Sequence, residues 1–403
     1  MDIQRKSTSR PIVMPRQATS PRRFTFMSVL SDDRVEISPA PPQGNSKWTV
    51  LNYSAADNNL YAYIYEDAAS MEKVGSTNSV QLVTQMDHQN AGAYRFRVER
   101  DGNGGADNRI DSPVIESLGP VNMSDPRTLA DFVTWGMKNF PSDKTMLVIS
   151  DHGKGWEGLI QDDSHKGWMS VPQLRQALET ALQETGRKLD IIGFDACQMA
   201  SVEVASEIKD YAKYMVASQA LEGREGWPYT QILGQASLSD LQQAHLFKSD
   251  VEARQAVELV VRSAAENQAV LPTMSAIDLS QMAQLENHLK TLSLEMSRAG
   301  LPNSALREAR TQAQPFGFVY DLGSFLQQTS QIAQKNGKGR LREMAEKCLA
   351  QLKQVVVAEH HTDEFPAATG LSVELKRPNK DHAKLLFSQA TDWKVAVDQM
   401  SRA

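Results

Sequence analysis

Two short segments place a reactive side chain just past an apolar run. In TMLVIS-DHGKGW, Asp151, His152 and Gly153 follow Thr145–Ser150. In LDIIGF-DACQMAS, Asp195, Ala196 and Cys197 follow Leu189–Phe194. A free thiol is only a few per cent thiolate near neutral pH. It becomes a competent nucleophile when an imidazole takes its proton, or when a helix N-terminus favours the anion. His152 and Cys197 are therefore read as base and nucleophile for attack on a carbonyl. Met199–Asp210 is predicted to be a helix, which sets Cys197 near the positive end of a macrodipole. Gly153 lets a carbonyl approach the backbone closely. The N–H groups of Gly153 and Cys197 are the predicted oxyanion donors, and such donors typically lower a barrier by about 3–4 kcal/mol each.

The elements around the pair must bring it together. Trp48–Tyr53, Val80–Met86, Ala93–Glu99, Thr145–Ser150, Leu189–Phe194 and Tyr214–Ser218 read as strands. Leu60–Val74, Pro126–Asn139, Val171–Thr185 and Met199–Asp210 read as helices. Asp57 or Asn58, Asp125 and Ser170 are the cap candidates. Strands alternating with helices indicate βαβ units and a mainly parallel sheet. The near-continuous apolar runs TMLVIS and LDIIGF fit central strands covered on both faces. Sites in such sheets form at the carboxyl ends of the strands. One loop and one crossover helix fit between His152 and Cys197, so adjacent parallel strands bring them within reach. Later helices (Asp250–Asn267, Gln281–Ala299, Phe325–Asn336, Arg340–Val355), with strands near Met274–Asp278 and Gly370–Glu374, read as a helical and mixed C-terminal region. The division is a basic, Ser/Pro-rich leader over 1–46, a catalytic core over 47–235 and that region over 236–403.

Composition excludes several classes. The 403 residues are 41 % apolar and 23 % charged, with net charge −6, and nothing in that balance points to nucleic acid as the partner. The two cysteines, Cys197 and Cys348, make no disulfide framework and no CxxC zinc motif. Cys348, in EMAEKCLAQL, reads as a buried structural residue. His165 reads as a solvated loop residue. His360-His361 resembles a metal pair but has no nearby third ligand. The loop DGNGGADNRID (Asp101, Asn103, Asp107, Asp111) departs from the EF-hand template. No metal site is assigned. No run approaches the roughly 18 apolar residues of a membrane span. The start has no apolar signal core, so a cytoplasmic location is the default, with non-classical export left open.

These motifs resemble the clostripain family of cysteine peptidases, within the caspase-like clan that includes gingipains, legumain and separase. The clan's pattern of strand-His-Gly and strand-Ala-Cys stands here as His152-Gly153 and Ala196-Cys197. KWTVLNYSAADNNL, MEKVGSTNSVQLVTQMD, ASQALEGREGWPY, FVYDLGSFL and ATGLSVEL are also similar to family blocks, so the resemblance runs from about Lys47 to Glu374. It implies a caspase-like α/β fold with helices flanking a mainly parallel sheet. It implies a cysteine endopeptidase working through a Cys-His dyad and an acyl-enzyme, on protein or peptide substrates with Arg or Lys at P1. A cationic P1 side chain needs a pocket carboxylate. Asp195 matches the family's pocket acid. Glu222 and Glu225, before Gly226-Trp227, are further candidates, and Ser218 and Trp227 complete the predicted substrate-binding set. No cofactor is implied, though some relatives depend on calcium, which leaves room for a site in the Asp101–Asp111 loop. Clostripain cuts itself between its catalytic residues, and Lys166, in the polar loop DDSHKGW, is the candidate self-cleavage point here. Arg22 and Arg23 in the leader are another. The rival readings are a catalytically silent binding module on this fold, a Cys-dependent amidase and, more weakly, a flavodoxin-like nucleotide binder without a phosphate loop.

Overall fold

Among the described residues, apolar, β-branched runs bounded by Gly, Pro and Asp generate nine strands of one main sheet. In chain order they are β1 (Ser46–Ser54), β2 (Val80–His88), β3 (Gly92–Arg97), β4 (Val114–Gly119), β5 (Ser142–Ser150), β6 (Leu189–Asp195), β7 (Ala212–Ala217), β8 (Thr273–Asp278) and β9 (Val356–His361). The computed structural model describes residues 46–88, 92–101, 109–234, 251–376 and 379–401. The leader below Ser46 and residues 102–108 of the Asp101–Asp111 loop, where the resemblance left room for calcium, lie outside the described residues.

The spatial order is β9-β8-β7-β6-β5-β1-β2-β3-β4. The five central strands β7, β6, β5, β1 and β2 run parallel. The strands at both flanks are antiparallel. This is the mainly parallel α/β sheet flanked by helices that the sequence suggested. Residues of the C-terminal half complete it, through β8 and β9. Two small sheets stand beside it. One is the hairpin Leu159–Asp162/Gly167–Met169. The other is built from Pro315–Phe316, Val319–Asp321 and Ser372–Val373.

Alternation along each central strand sends side chains to opposite layers. Leu51, Tyr53, Leu147, Ile149, Ile192 and Phe194 join a core with Leu129 and Phe132 of the helix Pro126–Asn139 and Leu174 of Val171–Thr185. Val50, Met146 and Val148 line the other face with Trp227 and Ile232. The caps work as predicted at two helices. Asp125 accepts from the Arg127 N–H, and Ser170 forms a capping box with Gln173. At the helix Tyr61–Met71 the Asn58 side chain takes the Leu60 N–H at 2.8 Å.

Register decides what shares the carboxyl edge. Ser54 pairs with Ser150, and Ser150 pairs with Asp195, so β1, β5 and β6 end level. The loop after β1, His152 after β5 and Cys197 after β6 therefore leave the sheet side by side.

Candidate active site

Three adjacent strand ends build the site. Asp151, the first residue past β5, is buried. It accepts from Asn58 Nδ2 at 2.8 Å and from the Gln161 N–H at 2.6 Å, and its own N–H donates to the Asp195 carbonyl at 3.2 Å. With its neighbour held on both sides, His152 is aimed along the groove. Its ring Nε2 lies 2.9 Å from Asn59 Oδ1. Burial, then Lys154, lowers the pKa of His152.

His152 and Cys197 line one cavity of about 210 Å³ with Asn59, Asp67, Asp195 and Glu222. The backbones on either side are in contact. A Cβ added at Gly153 would sit 2.3 Å from the Cys197 carbonyl oxygen and 3.0 Å from its nitrogen. Only glycine permits this approach, which sets the two predicted oxyanion donors next to each other.

Cys197 departs from one expectation. The following helix is Val202–Ile208, capped by Ser201, and does not begin at Met199. Gln198 adopts a left-handed φ of 62°. The N–H groups of Gln198 and Ala200 donate to the carbonyls of Ala220 and Ser218, and the Ala200 carbonyl accepts from Ser372. These bonds commit residues 198–200 to neighbouring segments and delay the helix, so no macrodipole begins at the thiol. Burial instead pushes the Cys197 pKa up, with the Glu222 backbone opposing and Asp195 adding to the rise. The Glu222 N–H donates to Sγ at 3.3 Å, so the loop after β7 lies over the sulfur.

The predicted acids divide. Asp195 is buried, accepts from Tyr229 Oη at 2.8 Å and Ser150 Oγ at 3.3 Å, and has its pKa raised by burial to about 6. Glu222 buries both carboxyl oxygens, and burial followed by the charge of Asp195 pushes its pKa well up. Asp67 faces the same cavity and is shifted upward for the same two reasons. Glu225 is exposed and lines a neighbouring depression with Asp67. Arg224, at the cavity rim, lies over the Tyr63 ring.

Two predicted lining residues are not in the cavity wall. Ser218 is fully buried, its Oγ 2.7 Å from Thr273 Oγ1, because the backbone of 218–220 is consumed in bonds to Gln198, Ala200 and Thr273. Trp227 is 2 % exposed and backs the site from below. Its ring lies against Gly193, where a Cβ would approach it to 2.7 Å. Lys166 is exposed in the turn of the 159–169 hairpin, with φ of 51°. Cys348 is fully buried, and burial pushes its thiol to about 12. His360 and His361 are consecutive on β9 and project from opposite faces, so they cannot chelate one ion.

Asn59, Asp67 and Tyr229 are absent from the sequence-derived set. Asn59 was within reach of that reasoning, because it follows β1, whose carboxyl end borders the same crevice. Asp67, in the middle of a helix, carries no local signal.

The Clostripain family model matches residues 52–380. Clostripain of Hathewaya histolytica is 24 % identical over 220 residues, taking in 47 % of this chain, and the chain spans 42 % of that relative's length. A secreted C11 cysteine protease from Bacteroides thetaiotaomicron, solved with an irreversible peptide inhibitor, superposes with a TM-score of 0.62 at 21 % identity, covering 86 % of this chain and 99 % of that one. An inactive zymogen C11 protease from Parabacteroides distasonis gives 0.64 at 20 % identity, with the same coverage. These two share the fold. The family model takes in both strand ends and the whole crevice between them, and the chain belongs to the clostripain family of cysteine peptidases.

Proposed function

We propose that this chain is a cysteine endopeptidase that hydrolyses peptide bonds after Arg or Lys. Cys197 is the nucleophile and His152 its proton-transfer partner. The observation that carries the reading is one cavity lined by the thiol, the imidazole and three carboxyl groups, Asp67, Asp195 and Glu222. A guanidinium or ammonium entering it finds fixed acceptors in a low-dielectric pocket, where ion pairs are strongest.

Asn59 Oδ1 accepts from Nε2–H of His152, which leaves the Nδ1 lone pair to take the thiol proton. The sulfur attacks the carbonyl after the P1 residue. The developing oxyanion is received by the Gly153 and Cys197 N–H groups. His152 then protonates the leaving amine, and water attacks the acyl-enzyme with the imidazole as base. Asn59 is a positioning residue. The described conformation holds a neutral pair: the thiol is pushed up and the imidazole down. The Glu222 N–H donates to the sulfur at 3.3 Å, so the loop over 221–226 borders the thiol. Self-processing is part of the same reading. A relative has been solved as an inactive zymogen, and Lys166 is an accessible point for the cut.

The test compares the purified chain with Cys197→Ala, by mass spectrometry and on peptidyl-Arg, peptidyl-Lys and peptidyl-Glu fluorogenic substrates. A fragment ending at Lys166 and turnover of the basic substrates, both lost in the variant, are expected. Equal residual turnover in the variant, or preference for the acidic substrate, overturns the reading. Labelling by an arginyl acyloxymethyl ketone peptide separates an endopeptidase from a small-molecule amidase.

A further inference from the structure

Behind the groove, on the side of β1 away from Cys197, three metal-ligating side chains converge. One ligand atom each from Asp57, Asp162 and His165 lies within 4.8 Å of the other two. Asp162 is fully buried. Its Oδ2 accepts from the Met123 N–H at 2.9 Å, and its Oδ1 faces both the His165 N–H and ring Nδ1, each at 2.9 Å. Asp57 is 5 % exposed. Its Oδ2 accepts only a long bond from the Ser164 N–H, 3.3 Å, and its buried Oδ1 has no hydrogen-bond partner. A third buried carboxylate adjoins them: Asp87 Oδ1 accepts from the N–H groups of Ala56 and Asp57. Among the described residues, the ion pair that reaches this group is the one between Asp162 and His165, whose side chain is 38 % exposed.

A buried carboxylate oxygen with no donor is costly, and neighbouring buried acids repel. A doubly charged ion removes both costs at once. We propose that Asp57, Asp162 and His165 form a binding site for a divalent transition cation of the Zn2+ or Mn2+ class. An imidazole nitrogen beside two carboxylates is a donor set these ions accept readily, whereas Ca2+ takes oxygen ligands. His165 ligates through Nδ1 with its proton on Nε2. The ion clamps the 55–59 loop, which carries Asn59 against His152, to the 159–169 hairpin, which carries Lys166. A cation at 100 times its Kd shifts the unfolding equilibrium about 100-fold toward the folded state.

The test uses the full chain as Cys197→Ala, which removes the thiol as a competing ligand and makes the readout independent of peptidase activity. Chelator-stripped protein is titrated calorimetrically with ZnCl2, MnCl2 and CaCl2, and its melting is followed with and without each ion. One equivalent of Zn2+ or Mn2+ should bind and raise the melting temperature. Affinity should fall at least tenfold in His165→Ala and in Asp57→Asn, each read against its own metal-free melting. Absence of a saturable single equivalent, binding unaltered in His165→Ala, or binding of Ca2+ alone overturns the proposal. Should Asp57→Asn fail to fold, the His165 variant decides.

Discussion

Asp195→Asn removes a negative charge from the pocket while preserving the shape of the side chain and an acceptor oxygen for Tyr229. Burial raises the Asp195 pKa from 3.8 to about 6. A carboxyl whose folded pKa lies above its unfolded one binds its proton more tightly in the native state. Its stabilising contribution is complete below the unfolded value and is lost as pH rises through about 6. The difference corresponds to about 3 kcal/mol by pH 7 and above. Asn carries no such penalty, and loss of the Asp195 charge also relieves Asp67 and Glu222, which it pushes upward. In a Cys197→Ala background, Asp195→Asn should therefore be more stable at pH 7.5, by up to about 3 kcal/mol, with the advantage gone at pH 4.5. Urea denaturation at three pH values reads this. Activity should move the other way. Loss of one partner from a desolvated charge pair costs about 3–4 kcal/mol, so kcat/KM on a peptidyl-Arg substrate should fall about 10²- to 10³-fold. A variant destabilised at pH 7.5 with unchanged kcat/KM would refute both the burial argument and the placement of the P1 cation.

Gly153→Ala forces a methyl to 2.3 Å from the Cys197 carbonyl oxygen; kcat should drop by about 10²-fold or more, and steady-state kinetics beside a thermal melt will show whether the fold survives. Asn59→Ala frees the imidazole, lowering kcat about 10- to 100-fold while leaving KM near its original value and shifting the pH–rate profile. Equal effects on KM and kcat would argue against a positioning role. Because burial pushes the Cys197 thiol up from 9.0, alkylation of the uncut protein by iodoacetamide should keep accelerating beyond pH 9. A rate already level at pH 7 would mean that a thiolate pre-exists.

Local signals carried the parts of this molecule that depend on neighbours in sequence. The runs TMLVIS and LDIIGF announce buried central strands, and Asp125 and Ser170 cap their helices because capping is chemistry over two or three residues. The alternation of such elements predicts a parallel sheet, and a parallel sheet predicts a crevice at its carboxyl edge. His152 and Cys197 were legible for that reason, Asp195 through the family resemblance, and the three line one cavity. What the chain alone could not announce came from long-range pairing. Register levels Ser54, Ser150 and Asp195 and so adds Asn59 to the site. Hydrogen bonds from residues 198–200 to segments near 218–220 and 372 override the helix propensity after the thiol. The same bonds turn Ser218 inward, and Gly193 draws Trp227 beneath the sheet. Whether a thiol is raised or lowered, or an acid stands solvated or buried among its own kind, depends on what the fold packs around it. Desolvation is a property of the assembled three-dimensional neighbourhood and is not encoded in the flanking residues.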